Sequence, residues 1–590
     1  MKKYIMLIMS GVLMTSCIDT TILPVDKTTG EDYWKDKSQV QGMVNGAYKQ
    51  MVSSDVMERL IVWGGFRSDE LDYNTDNGLS SNTTRNNLQK ISYGNLEKDN
   101  PYCTWAALYN TINRCNIVLE RAPGTVSIDP AYTEETFKTD KSQMLALRAL
   151  CYFYLVRTFR DVPYSSVAFV NSSQTFELPQ TAPATVLENC IKDLEEAIQS
   201  PLSADSYEDW RRVGLINRDG IRAILADIYL WRASVMHNAE DYQKCVDYCD
   251  EIIASKKALG NRTGRFGQTT QTVESEYPLV DGENAFYSIF IEGNSQESIF
   301  ELQMDGNNDV STSVRNYYFD YSGSNPKTGG FLQATNVFKT VGDKTNALST
   351  YTYVQDKDRR YYENLYSSIN GDDGTSFPVR KMVYNGMASI TARAKKPDSY
   401  TGLERASAGD YKQNWIVYRL TDIMLMKAEA LVQLAASDED SKLTTAFNLV
   451  DAVNKRSLTD TTATNRLALT SFNTKDKMEA LVLDERGREL CFEGKRWYDM
   501  LRYNFRHMTP TDYTKTYYEI YGSASTGFVS NSSEFMTLLQ RRYVENGAAI
   551  CAKMQTEPYL YFPVPDADMK VNSELHQNPV YATADKYERN

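Results

Sequence analysis

Residues 218–234 and 239–255 each carry an apolar stripe at helical spacing, and the pairing of these two stripes constrains the fold more than any other feature. Ala223, Ala226, Tyr229 and Leu230 mark the first stripe, and Tyr242, Cys245, Val246, Cys249, Ile252 and Ile253 mark the second. Small residues on one helix let the next approach closely, which predicts an antiparallel pair. The design recurs where Ala428 and Ala430 are followed by Ala446, Phe447, Val450 and Val453. Helical periods also run over 37–52, 104–121, 141–160, 184–199, 418–435, 443–456 and 475–503. Between them, 64–101 is rich in Asn, Ser, Thr, Asp and Gly, and 256–415 in Gly, Tyr and polar residues. Residues 297–304 alternate like a short strand. The expected chain is mainly α with minor β: a helical scaffold over 31–255 and 416–505, and a loop-rich insert, 256–415. A loop region of that length inside a compact protein is usually functional.

The first residues read as a leader. Lys2 and Lys3 precede an apolar run from Tyr4 to Met14. That run is too short for a bilayer, which takes about 20 residues, but suits a signal peptide over 1–16. It ends in Met14-Thr15-Ser16-Cys17, which resembles a lipobox, with Met14 where the consensus has Leu. Cys17 would then be acylated and 17–30 would form a flexible lipid-anchored linker. No later segment is apolar for long enough to span a membrane, so the chain reads as anchored.

The net charge of −13, with both signs mixed along the chain, argues against a nucleic-acid partner. Eight further cysteines show neither a C-x-x-C pair nor a zinc pattern and read as small buried hydrophobes. The three histidines have no metal-ligand spacing, and no nucleotide or hydrolase fingerprint is present. No metal or cofactor is expected. Residues 484–503 concentrate Glu485, Glu489 and Glu493 with Arg486, Arg488 and Arg496. Met478, Leu481, Val482, Glu485, Glu489 and Phe492 share one helical stripe, so two carboxylates on an apolar face could be a glycosidase pair. Neighbouring arginines would hold both ionised, whereas a general acid needs a raised pKa. A buried ion-pair network is the better reading.

The segment from Asp484 to Tyr503 (DERGRELCFEGKRWYDMLRY) resembles the signature of the SusD/RagB family of nutrient-uptake outer-membrane lipoproteins. Leu147–Tyr164, Tyr418–Ala430, Tyr33-Trp34 with Gly42–Tyr48, Tyr559–Pro565 and Gln577–Tyr581 resemble further family segments, in order along nearly the whole chain. Two departures are Arg160, where the family usually has Gly, and Phe562, which interrupts a Tyr-Pro-hydrophobic-Pro. The helix pairs look like degenerate tetratricopeptide units. The resemblance implies one domain over 31–590, a right-handed superhelix of such pairs with a loop-rich ligand-binding region. It implies a surface lipoprotein of the outer membrane that is not an enzyme. Such a protein captures oligosaccharide or polysaccharide and delivers it to a SusC-like TonB-dependent transporter. A binder of peptides or other nutrients, RagB-like, is the alternative, and a glycoside hydrolase a more distant one.

Sugars offer a weakly apolar C–H face and a rim of hydroxyls, met by aromatic rings and by Asp, Asn and Arg. The chain has 40 Tyr against 21 Phe and 7 Trp, and tyrosine joins a flat apolar face to a hydroxyl. Residues 69–105 offer Asp72, Tyr73, Arg85, Tyr93, Asn95 and Tyr102. Arg315, Tyr317, Tyr318 and Tyr321 crowd a stretch without period. Both regions fall where the family places its ligand loops. The expectation is a stacking platform of Tyr317, Tyr318 and Tyr321 faced by Tyr73 and Arg85. Trp105, which begins a helix with Leu108, Tyr109 and Ile112, reads as core, and Asp69 as structural.

Overall fold

The computed structural model describes residues 33–75, 82–171, 173–203, 205–260, 277–304, 313–318, 330–339, 358–365, 379–382, 384–387, 403–405, 413–458, 466–542 and 547–582. The leader 1–16, Cys17, the 17–30 linker and Tyr321 lie outside them. Helix α1 (Lys37–Met51) starts where the Asp36 carboxylate accepts the Gln39 amide, and α2 (Ser54–Ile61) where the Ser53 hydroxyl accepts that of Val56. Such side chains satisfy amides that the first helical turn leaves without partners. A π-helical turn over Val62–Phe66 leads to strand β1 (Leu71–Tyr73) and to α3 (Thr83–Ser92). The long α4 (Ala106–Val126) and α5 (Glu134–Phe159) follow, then the paired two-residue strands β2 (Val162–Pro163) and β3 (Gln180–Thr181), and α6 (Pro183–Ala197). α5 begins ahead of its apolar period because Thr133 caps it, accepting the Thr136 amide.

After one helical turn, α7 (Arg211–Gly214), come α8 (Arg218–Met236) and α9 (Ala239–Gly260). Their contact is as the stripes demand, with Ala223, Ala226, Cys245, Cys249 and Ile252 fully buried. The insert contributes β4 (Ser298–Leu302), α10 (Ser313–Tyr318), β5 (Leu332–Ala334), α11 (Asn336–Lys339), α12 (Arg360–Asn364), β6 (Tyr384–Met387), β7 (Leu403–Arg405) and β8 (Trp415–Arg419). β1 pairs with β5, β4 with β8 and β6 with β7, all antiparallel. β8 runs directly into α13 (Leu420–Leu434), so Tyr418 and Arg419 are strand residues and not the start of a helix. α14 (Ser441–Ser457), α15 (Lys475–Glu489) and α16 (Arg496–Arg506) complete the signature region, and α17 (Tyr517–Tyr521), α18 (Ser533–Gln540), α19 (Gly547–Lys553) and α20 (Asp566–Val571) close the chain. α4 packs on α1 and α5, α5 on α6, and α9 and α14 on α13. The eight described cysteines are all buried and free.

The helical period over 475–503 is interrupted between α15 and α16. Phe492 and Gly494 both take positive φ there, 65° and 68°. The break brings Gly494 against the π-helical turn, where a Cβ on Gly64 would lie 1.8 Å from the Gly494 carbonyl oxygen. Around this turn gathers a buried ionic network. Glu489 accepts from Arg360 at 2.9 Å, from Arg419 at 2.7 Å and from Arg456. Glu485 accepts from Arg360 at 2.7 Å, from Arg488 at 2.8 Å and from Asn454 at 3.0 Å. Glu493 takes Lys381 at 2.6 Å and Arg419 at 2.8 Å. Asp69 receives the Arg496 guanidinium through two bonds of 2.9 and 3.1 Å.

Apart from Arg488, the cations that hold these glutamates come from distant segments and not from the adjacent arginines. Burial alone would raise the Glu489 carboxyl, but Arg456, Arg419 and Arg360 outweigh it and hold it well below the usual carboxylate range. Glu485 and Glu493 are lowered in the same way, against burial, by Arg360 with Arg488 and by Arg419 with Lys381. Glu489→Gln would strand buried arginines, at a cost of about 3–5 kcal/mol. Because the folded carboxyls bind protons less readily than unfolded ones, their contribution is complete above the ordinary Glu value of about 4.3 and is lost as the pH falls through the folded values. The melting difference between parent and Glu489→Gln is therefore expected to be large at pH 7 and to shrink in acid. A constant difference would mean that charge is not what stabilises the network.

Arg160 explains its own departure from glycine. It is the middle residue of a tight turn with φ 65° and ψ −74°, closed by a 2.9 Å bond from the Asp161 amide to the Phe159 carbonyl. This γ-turn geometry is strained for a residue with a Cβ, at a cost on the order of 1–3 kcal/mol. The fully buried guanidinium offsets it by tying down 511–517. It donates to Asp161 at 2.6 Å, to the Asp512 and Lys515 carbonyls at 2.9 and 3.0 Å, and to the Thr511 hydroxyl at 3.1 Å. It also lies 4.1 Å over the Tyr517 ring. Arg160→Gly removes both ties and strain, whereas Arg160→Ala removes the ties alone. The expected melting order is parent, then Gly, then Ala, with faster amide exchange over 511–517 in both variants. Ala melting above Gly would show that the turn is not strained.

Candidate functional site

α3 lies inside the stretch whose composition reads as loop, and its ends explain why it is a helix. The Asn82 side chain accepts the amides of Thr84 and Arg85 at 2.9 and 3.4 Å. At the other end the Gly94 amide donates to Ile91 and the Asn95 amide to Lys90, at 3.0 and 2.8 Å, with Gly94 at φ 66°. That is a Schellman closure, which favours glycine at its left-handed position. It turns Tyr93 outward just beyond the helix. Alongside, β1 pairs residue by residue with β5, Asp72 opposite Gln333 and Tyr73 opposite Leu332, so that Tyr73 is buried and Asp72 half-buried.

Between these two elements lies a compact polar and aromatic cluster. The Tyr73 and Tyr93 hydroxyls are 2.6 Å apart, and Gln89 donates to that of Tyr73 at 3.2 Å. Burial and the bond to Tyr93 push the Tyr73 hydroxyl up to about 12, so it stays protonated. The Arg85 guanidinium stands 5.1 Å over the Tyr73 ring and donates through Nε to the Asn74 carbonyl at 3.0 Å. Asp72 accepts from Ser92 at 2.8 Å and from Arg542 at 3.1 Å. From α19, Lys553 reaches the Tyr93 carbonyl at 3.2 Å and the Asn95 side-chain oxygen. Tyr93 itself is 39% exposed. Of the expected residues, Tyr73 meets Tyr93 directly, Arg85 lies over the Tyr73 ring, Asp72 holds the neighbouring Ser92, and Asn95 shares Lys553 with the Tyr93 carbonyl. Gln89 and Lys553 complete the cluster; Lys553 has no local signal in the sequence, because it lies 460 positions from Tyr93.

The second set is nearby but turned inward. Tyr317 is 2% and Tyr318 0% exposed, which rules out the expected stacking platform in this arrangement. The stretch 313–318 is a short helix, too short to show a period, and it packs on α2. Tyr317 lies edge-on to Tyr102 and Phe331, and its hydroxyl meets that of Tyr102. Tyr102 is likewise buried, in a 3₁₀ turn over Pro101–Cys103. The Tyr318 hydroxyl donates to the Phe492 carbonyl at 2.8 Å. Arg315 is half-buried, with Nη1 3.5 Å from the Asn316 side-chain oxygen. Tyr102, Tyr317 and Tyr318 are therefore corrected to packing residues. Trp105 packs on Phe159 and Tyr109 as core, and Asp69 is structural. Tyr318→Ala is expected to cost about 3–5 kcal/mol of stability through the cavity it leaves. A variant that melts like the parent would return Tyr318 to the candidate ligand contacts.

The sequence matches the SusD family over residues 224–581, and a family described as starch-binding associating with outer membrane over residues 27–230. SusD-like protein P2 of Formosa agariphila is 25% identical over 507 residues, 85% of this chain and 91% of that one. SusD-like protein P38 of the same organism is 23% identical over 85% of this chain and 90% of its own. Among solved structures, a SusD superfamily protein from Bacteroides vulgatus superposes with a TM-score of 0.63 at 16% identity, covering 92% of this chain and 99% of that chain. A laminarin binding SusD-like protein superposes with a TM-score of 0.59 at 18% identity, over 93% of this chain and 100% of its own.

Proposed function

The chain belongs to the SusD family, and from that premise we propose that it binds glycans at the Tyr93 face and delivers them to a SusC-like TonB-dependent transporter. The observation that carries the reading is the exposed Tyr93, hydroxyl-bonded to Tyr73, with Arg85 and Gln89 on Tyr73 and with Lys553 bridging the Tyr93 carbonyl and Asn95. An aromatic beside several hydrogen-bonding groups fits the two faces of a sugar. The chain is a binding protein and not an enzyme in this reading. Its densest carboxylates, at Glu485, Glu489 and Glu493, are buried and held ionised by arginines and Lys381, which leaves no general acid among them.

Calorimetry of the purified full-length protein against diverse oligosaccharides and peptides tests this. A glycan bound and recovered intact is expected, with micromolar to millimolar affinity. Tyr93→Ala should weaken it by about 1 kcal/mol without changing the melting curve. Binding of peptides and no glycan would replace the glycan reading with the RagB-like one, and release of cleaved sugar would make the protein an enzyme.

The same proposal places the chain at the outer membrane, facing outward and held by a lipid on Cys17. Its support is the apolar leader ending in Met-Thr-Ser-Cys. Among the described residues no helix is long and apolar enough to cross a membrane. Cys17→Ala is expected to release the protein from membranes or to leave an uncleaved precursor. Unchanged detergent partitioning would rule the anchor out.

A further inference from the structure

Two cations flank Tyr93, and neither has a carboxylate partner among the described residues. Arg85 gives its Nε to the Asn74 carbonyl and lies over the Tyr73 ring, which leaves its two terminal nitrogens without acceptors among those residues. Among the described residues Lys553 meets neutral oxygens, the Tyr93 carbonyl and the Asn95 side chain. Three other cations of this region do have carboxylate partners: Lys90 with Glu97 at 2.6 Å, Arg542 with Asp72 at 3.1 Å, and Lys98 with Asp566 at 2.9 Å. The chain has 77 acidic against 64 basic residues, yet both cations beside this exposed ring meet neutral oxygens.

Their chemistry differs from that of a neutral sugar site. A hydroxyl rim is satisfied by amides, hydroxyls and paired charges, and gains little from a full positive charge. A free guanidinium fork matches the two oxygens of a carboxylate or sulfate, and an ammonium adds a point charge. Arg85 and Tyr93 are eight residues apart at the two ends of α3, roughly 12 Å along its axis. Lys553 lies beyond the far end, at Tyr93 and Asn95. The Arg85 guanidinium reaches the face over the Tyr73 ring, which lies 5.8 Å edge-on to Tyr93, and the Lys553 ammonium reaches it at the Tyr93 carbonyl, so the two cations approach the aromatic pair from different elements.

We propose that the Tyr93 face takes an acidic glycan, one bearing uronate carboxylates or sulfate esters, with a sugar ring on Tyr93 and anions at Arg85 and Lys553. This rests on the glycan reading above and names the class of glycan. In a protein of net charge −13, such a site also overcomes the general repulsion of a polyanion only where the local field is positive.

The test is calorimetry of the full-length protein with oligomers of polygalacturonate, alginate and a sulfated galactan. Methyl-esterified or desulfated counterparts of these, together with laminarin and starch oligomers, are the neutral controls. At least one acidic oligomer is expected to bind at least tenfold more tightly than its neutralised counterpart, and to weaken as salt is raised. Arg85→Gln and Lys553→Gln should each weaken it about tenfold while melting like the parent. Equal binding of acidic and neutralised forms, or of parent and both variants, overturns the proposal. So does an absence of binding to every acidic oligomer. If neutral glycans bind and Tyr93→Ala weakens them, the acidic class falls and the glycan reading stands. If only peptides bind, both fall.

Discussion

Moving a carboxylate from water into a protein interior costs several kcal/mol even after relaxation. The region around the turn between α15 and α16 does so at Glu485, Glu489 and Glu493. What makes this tolerable is that α12, β8, α14 and the 381 region each bring a cation to the same place. Glu489 alone joins three segments that are not neighbours in sequence. Arg360 is also held by Asp358 at 2.7 Å and Arg456 by Glu297 at 2.5 Å, so the three glutamates bind cations that are themselves fixed, and the register of the insert against the scaffold follows from both sets of bonds. Glycines at 64 and 494 let the backbone come close enough for that convergence.

The Tyr93 face is a by-product of the same frame. β1 follows Asp69 and Glu70 directly, and Asp69 is fastened to Arg496 while Glu70 accepts the Phe492 amide at 3.1 Å. Tyr73 therefore projects from a strand whose root is fixed, and α3 is closed at both ends by its own caps. A ligand meeting Tyr93 meets side chains already held by Tyr73, Gln89 and Lys553, so little ordering is left for the moment of binding.

Where period and burial agree, the sequence was legible. α1, α6, α8, α9 and α14 begin and end within a few residues of their stripes, because each buries one continuous face. The ionised state of Glu485 and Glu489 could also be read, although their partners could not, since Arg360, Arg419 and Arg456 are remote in the chain. α3 has too few apolar residues to show a period, and only Asn82 and Gly94 mark its ends. The aromatic run at 315–318 misled for the opposite reason: a helix of six residues shows no stripe, so buried tyrosines looked free. Asp72, Tyr73, Arg85 and Asn95 were chosen by residue type, which is why Tyr102, of the same type but inside, came with them.

The bond between Asp69 and Arg496 spans 427 positions. A chain emerging from its N-terminus, through a ribosome or across a membrane, therefore makes β1 and α3 long before the residue that fixes them exists. Until α16 appears, a carboxylate destined for the interior has no counter-charge, and water is its better solvent. The early helices α4 to α6 can form and pair on local contacts in the meantime. The Tyr93 face cannot. Its maturation is tied to near-completion of the polypeptide, and a truncated or stalled product would present the scaffold without that face in place.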